Sequence, residues 1–132
     1  MAITLDGDNL TTVGVINSKT AVASTSGTSI DFTGIPSGVK RITVMYNGVS
    51  LNGASEILLQ IGTGGTPTTT GYAGRVAFAG TSAGTAAFSA GFITFVDASA
   101  ANLMYGQSVL CLQNSSTNTW SYAGTVRSEE HT

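Results

Sequence analysis

The amino-acid sequence predicts an all-β protein, an antiparallel β-sandwich of jelly-roll type with about eight short strands. Three observations predict it. Helical periodicity is absent almost everywhere, whereas period-two alternation is common and β-branched residues are frequent. Gly, Asn, Ser or Pro bounds each candidate strand. The strands also recur at close, even spacing, as they do in sandwiches and jelly rolls.

Taken in chain order, residues 1–19 carry little pattern and read as an extended N-terminal arm. Residues 20–126 read as the β-sandwich domain. Its strands are predicted at 20–25, 28–33, 40–50, 56–61, 72–79, 86–96, 103–112 and 119–126. Asp31 alternates with Ile30 and Phe32, which predicts a side chain facing solvent or Lys40. In "TGIPSGVKRITVMYNG", Pro36 fixes φ at a turn, and Gly34 and Gly38 flank it to permit unusual dihedrals. Beyond the turn, Ile42, Val44 and Tyr46 point one way and Arg41, Thr43, Met45 and Asn47 the other. That is the alternation of a half-buried strand. In "EILLQIG", Ile57, Leu59 and Ile61 are expected to face the core, leaving Leu58 and Gln60 outside. "GTGGTPTTTG" (62–71) reads as a loop.

Two later strands are apolar on both faces. "GFITFV" sets Phe92 and Val96 against Ile93 and Phe95, and "SVLCLQ" sets Val109 and Cys111 against Leu110 and Leu112. Such strands must be covered twice, and a two-layer domain has only one inside. The second face predicts a subunit interface, with Phe95, Leu110 and Leu112 as its candidate residues.

The last residues, "RSEEHT" (127–132), depart from the composition of everything before them: they hold two Glu and the only His. The same hexapeptide results from translating the start of a common sequencing adapter. Residues 127–132 are therefore read as a non-native tail, with native sequence running to about residue 126.

Composition narrows the function classes. The chain has 132 residues, enough for one domain with a core. Hydrophobic residues make up 42% and charged residues 9%, against about a quarter charged in typical domains. Ser and Thr take the polar role, as on extracellular and virion proteins. The net charge of −2 gives no basic footprint for nucleic acid. Cys111 is the only cysteine, so no internal disulfide can form, and it reads as a buried, inert thiol. "MAITLDGD" has neither the basic nor the apolar region of a signal peptide. Val76–Val96 is uncharged and long enough to span a bilayer, but its Gly, Ser and Thr content reads better as strand, so no membrane insertion is expected.

No catalytic constellation emerges. A Ser or Cys nucleophile needs a base, and the only histidine, His131, lies in the tail. Zinc ligand clusters are missing from the sequence. Asp6 and Asp8 in "LDGDN" lack the spaced third acid and closing Glu of a calcium loop. "GTGGTPTTTG" lacks the Lys-Ser/Thr ending of a phosphate loop. No enzymatic activity, no metal and no cofactor are expected.

The run "SIDFTGIPSGVKRITVMYNGVSLNG", followed by "LLQIGTGG" and "TTTGYAG", resembles a module of tail-fibre and related virion proteins of tailed bacteriophages. Those proteins carry a similar block: an IDFTGIP turn, a strand close to "VKRITVMYNGVS", a further short strand and a Gly-Tyr turn. The opening "MAITLDG" is similar to many short phage structural proteins. The resemblance covers roughly residues 20–75 by motif and the rest by pattern. It implies a virion structural protein, a tail-fibre or fibre-tip domain that forms a homotrimer, contacts other virion proteins and displays a surface for host attachment. It also implies assembly into the virion after synthesis in the host cytoplasm. Two other readings stay open: a stand-alone, lectin-like carbohydrate-binding module, and a capsid-decorating protein.

The candidate ligand residues are Lys40, Arg41 and Tyr72. Lys40 and Arg41 mark the start of a strand, and the structural reading pairs them with Asp31 or Glu56 or places them across a subunit contact. The functional reading is contact with an anionic glycan of the host surface. Tyr72 sits in a turn, where an exposed ring could cover the apolar side of a sugar. Trp120 and Tyr122 alternate on the last strand and read as core.

Overall fold

A computed structural model of the chain describes residues 17–25, 27–78, 84–97 and 99–130. It divides into two compact units, Met1–Phe32 and Thr33–Thr132. The described residues of the first unit form no strand and are nearly all exposed. The strands expected at 20–25 and 28–33 are therefore not formed, and every strand among the described residues lies in the second unit. Alternation is not sufficient for a strand. A strand also needs a partner, and no described residue pairs with these segments. The arm expected at 1–19 lies outside the described residues up to residue 16.

The second unit is all-β and antiparallel, and no helix occurs among the described residues. Its strands are β1 (Arg41–Val49), β2 (Ser55–Leu59), β3 (Gly62–Thr63), β4 (Thr66–Pro67), β5 (Gly74–Phe78), β6 (Gly84–Phe88), β7 (Phe92–Asp97), β8 (Asn102–Asn114) and β9 (Thr119–Glu130). The Gly-rich stretch after β2 is a minimal hairpin, β3–β4, rather than a plain loop. The run expected as one strand over 86–96 is broken at Ser89–Gly91 into β6 and β7. Residues 127–130, read as a tail, continue β9 in register opposite Asn102–Tyr105.

The largest sheet has the order β1-β8-β9. Three two-stranded ladders, β2-β7, β3-β4 and β5-β6, complete the unit. The turn ahead of β1 follows the expected chemistry: Gly34 and Gly38 have φ of 66° and 80°, which flanks Pro36 with left-handed backbone. The β8–β9 turn is held by Asn114, whose Oδ1 accepts from the backbone N–H of Ser116 (2.9 Å) and Thr117 (3.3 Å). Asn118 takes φ 51° there, and its Oδ1 accepts from Trp120 Nε1 at 2.9 Å.

Register sorts the side chains of the sheet. Residues directly opposite one another share a face. One face carries Ile42–Leu110–Tyr122, then Val44–Ser108–Gly124, then Tyr46–Gly106–Val126. This is the core face. Leu110, Tyr72 and Phe92 form its centre, with Ile42, Leu59, Ile61, Phe88, Trp120 and Tyr122 packed around them. The Phe92 ring stacks on Tyr122 at 4.7 Å and meets the edge of Tyr72 at 4.9 Å. The predicted alternation of β1 holds along its length, as does the inward placement of Ile57, Leu59 and Ile61.

Candidate functional site

The candidate surface is the other face of the same sheet. Across β1, β8 and β9 its rows are Arg41–Cys111–Ser121, Thr43–Val109–Ala123, Met45–Gln107–Thr125 and Asn47–Tyr105–Arg127. Met45 is 80% exposed, whereas Val109, Cys111 and Tyr105 on the central strand are half-buried. The face is rich in hydroxyls and amides, like the sequence that builds it.

A shallow depression of about 430 Å³ lies along the β8–β9 pairing, lined by Tyr105, Gly106, Gln107, Thr125, Val126 and Arg127. Gly106 sets the strand spacing there. Its φ is 147°, and a Cβ there would run into Thr125 O and Val126 Cα. Only glycine lets β9 approach this closely. A smaller depression of about 150 Å³ lies between β2, β6 and β7, with Glu56, Leu58, Phe88 and Ile93 in its wall.

Lys40 and Arg41 sit where expected, exposed at the start of β1. The backbone carbonyl of Lys40 accepts from Leu112 N–H at 2.8 Å, which ties the turn to β8. Glu56, one of the partners expected for them, lies on β2 in a different sheet.

Tyr72 is a correction. The expected surface ring is buried, 9% exposed, with its edge against Phe92. Its hydroxyl donates to Thr68 O at 3.0 Å and accepts from Ile61 N–H at 2.9 Å. A phenol with an apolar body and a satisfied hydroxyl suits a core edge, so Tyr72 offers no ring face to a sugar.

The interface candidates separate. Leu110 is 1% exposed and sits at the centre of the chain's own core, which removes it from any subunit contact. The reason is the phase of β8: Leu110 lies opposite Ile42 and Tyr122 on the covered face. Leu112 and Phe95 are half-buried, opposite Trp120 and Ile57 respectively. Cys111, expected to be buried, is half-buried on the outer face.

Sequence reading missed a polar cluster under the core face. Ser108 is fully buried. Tyr46 Oη donates to Ser108 Oγ at 3.3 Å, and Ser108 Oγ shares a hydrogen bond with Tyr122 Oη at 3.2 Å. Burial raises the pKa of both phenols above the ordinary tyrosine value. Gly124 makes room for the cluster, since a Cβ there would stand 2.5 Å from Tyr122 Oη and 3.0 Å from Ser108 Oγ. The available signal was a Ser in the core phase of an apolar strand. The cluster contains no imidazole or carboxylate, and its chemistry is that of a satisfied buried network.

Among the described residues, no group of three or more His, Cys, Asp or Glu is placed to hold a metal ion. Among them, no helix is long and apolar enough to cross a membrane. Comparisons with protein-family models, with curated proteins and with solved structures give no match.

Proposed function

We propose that the chain is a virion structural protein of a tailed bacteriophage, a tail-fibre or fibre-tip domain that oligomerises and displays a host-recognition surface. One observation carries the oligomer. The sequence is 42% hydrophobic, yet five hydrophobic side chains are buried among the described residues: Tyr72, Phe92, Ile93, Met104 and Leu110. Among the described residues, Ile42, Val44, Leu112 and Trp120 stay half-buried and Met45 and Leu58 exposed, and a second copy would cover them.

The family reading rests on the "IDFTGIP" and "VKRITVMYNGVS" block: the turn at residues 34–38 and strand β1 take the expected form, whereas residues 28–33 form no strand. Small open sheets are consistent with a jelly-roll-like sandwich completed in the assembly, a homotrimer in the fibre reading. Lys40 and Arg41, exposed at one end of the sheet, are the residues proposed to meet an anionic host glycan. The reading places the protein in the virion, alongside other virion proteins.

Light scattering coupled to size exclusion on the full chain tests this. A stable oligomer, three copies for a fibre, is the expected result. A mass of 13.3 kDa, that of one chain, overturns it and leaves the self-contained, lectin-like module as the reading to test by glycan screening.

A further inference from the structure

The subunit seam can be located from the hydrogen-bond phase of the β1-β8-β9 sheet. Leu112 N–H donates to Lys40 O. In a β-strand, the backbone groups of successive residues point to opposite sides. Leu112, Leu110, Ser108 and Gly106 therefore turn their backbone toward β1, and Cys111, Val109, Gln107 and Tyr105 turn theirs toward β9. The same phase leaves Arg41, Thr43, Met45 and Asn47 pointing outward along the free edge of β1. Along the free edge of β9 it leaves Trp120, Tyr122, Gly124 and Val126. Among the described residues, no strand pairs with either edge.

Burial falls off from the middle of this sheet toward both edges. On the central strand, Met104, Ser108 and Leu110 are buried. On the same face, Ile42, Val44 and Tyr46 of β1, and Trp120, Tyr122 and Val126 of β9, are only half-buried. Both edges carry an apolar row that is only half-buried among the described residues. Charge and proline do not blunt them along most of their length: apart from Arg41 at one end of β1 and the residues from Arg127 onward in β9, the two strands carry no charge, and neither contains Pro. The one irregularity is a bulge at Gly48, near the far end of β1.

The geometry points to a seam between copies of this chain in which the free edge of β9 pairs with the free edge of β1 in the next copy. This rests on the oligomer proposed above and names its contact. β1 and β9 are each antiparallel to β8, so they run in the same direction. A rotation about an axis along the strands brings β9 beside the next copy's β1 in parallel. Arg41 and Arg127 then fall at opposite ends of the seam. A two-fold pairing of β9 with β9, or of β1 with β1, would cover one edge and leave the other open. The head-to-tail seam covers both edges in every copy of a ring, which forms when the rotation closes.

The test uses the full chain. Met45→Pro and Val126→Pro each remove an outward N–H, on β1 and β9 respectively, and leave the β8 ladders their donors. Each variant is expected to fall from the oligomer mass to 13.3 kDa while keeping its far-ultraviolet strand signal. An equimolar mixture is expected to give a dimer and nothing larger, because one intact β9–β1 seam remains. An oligomer that withstands both substitutions, or a dimer that persists in Met45→Pro alone, overturns the seam and leaves the oligomer standing. A wild-type monomer overturns both. Should a proline variant fail to fold, amide exchange of the unmodified oligomer decides the matter. Slow exchange is expected at Thr43, Met45, Tyr122 and Gly124, and exchange at the rate of open amides overturns the seam.

Discussion

Two methionines lie on opposite faces of one sheet and have opposite environments. Met104 on β8 is fully buried, whereas Met45 on β1 is 80% exposed. Residue type does not account for the difference. Position does: Met104 shares its face with Leu110 and Ser108, and Met45 lies in the row with Gln107 and Thr125. A one-residue slip in register would exchange the faces. The sheet therefore has a face that specifies the fold and a face free to vary, and substitutions on the two should differ sharply.

Leu110→Ala should produce the largest effect. It removes the centre of the core beneath Phe92 and Tyr72, and a loss of about 2–5 kcal/mol is expected in urea unfolding. A loss below about 1 kcal/mol would mean that the core face is not what holds the sheet. Next comes Gly124→Ala, whose methyl group meets Tyr122 Oη and Ser108 Oγ. Overpacking of this kind costs about 1–3 kcal/mol. Combining it with Tyr122→Phe should recover part of the loss, and strict additivity of the two would sink the steric explanation.

Ser108→Ala leaves two part-buried phenols without their shared partner. About 1–2 kcal/mol should be lost, and thermal denaturation reads it. The same cluster sets an alkaline limit. Tyr46 and Tyr122 hold their protons above the ordinary value of 10.0 because burial disfavours phenolate. A folded-state pKa above the unfolded one gives stability that is complete below about pH 10 and declines as pH rises through the folded values. The double substitution Tyr46→Phe and Tyr122→Phe should flatten that decline. An unchanged profile would assign it to other groups. The smallest effect is expected on the outer face, where Met45→Thr should change the stability of the isolated chain by less than about 0.5 kcal/mol.

Much of β1 was legible in the sequence. The Pro-Gly turn and the strict alternation from Arg41 to Asn47 name both its start and its faces, because half-burial writes itself into a period of two. β8 was legible as a strand but not as a division of labour. Its residues are apolar on both faces, and only the pairing with β1 and β9 shows that Leu110 is inside and Cys111 outside. Residues 20–25 and 28–33 were read as strands too, yet form none, since a sequence pattern does not reveal a missing partner. Tyr72 misled for a related reason. A Gly-Tyr turn looks like surface, and the contacts that bury it come from Thr68, Ile61 and Phe92, which the local sequence does not name. Ser108 was hidden because a lone hydroxyl in an apolar strand gains meaning only when two tyrosines from neighbouring strands reach it.

The pairing of β1 with β8 also orders events in time. Arg41 meets Cys111, about seventy residues further along the chain, whereas β8 and β9 are joined by a four-residue turn. Loop closure favours the near partner. The β8–β9 hairpin can form as soon as it is made, and it presents a ready edge. β1 leaves the ribosome much earlier, with Ile42, Val44 and Tyr46 uncovered, and must wait for most of the chain to follow. During that interval its best substitute partner is the same strand of a neighbouring nascent chain. Crowding on a shared message then adds a window for aggregation to the one that the open edges of the folded sheet already present.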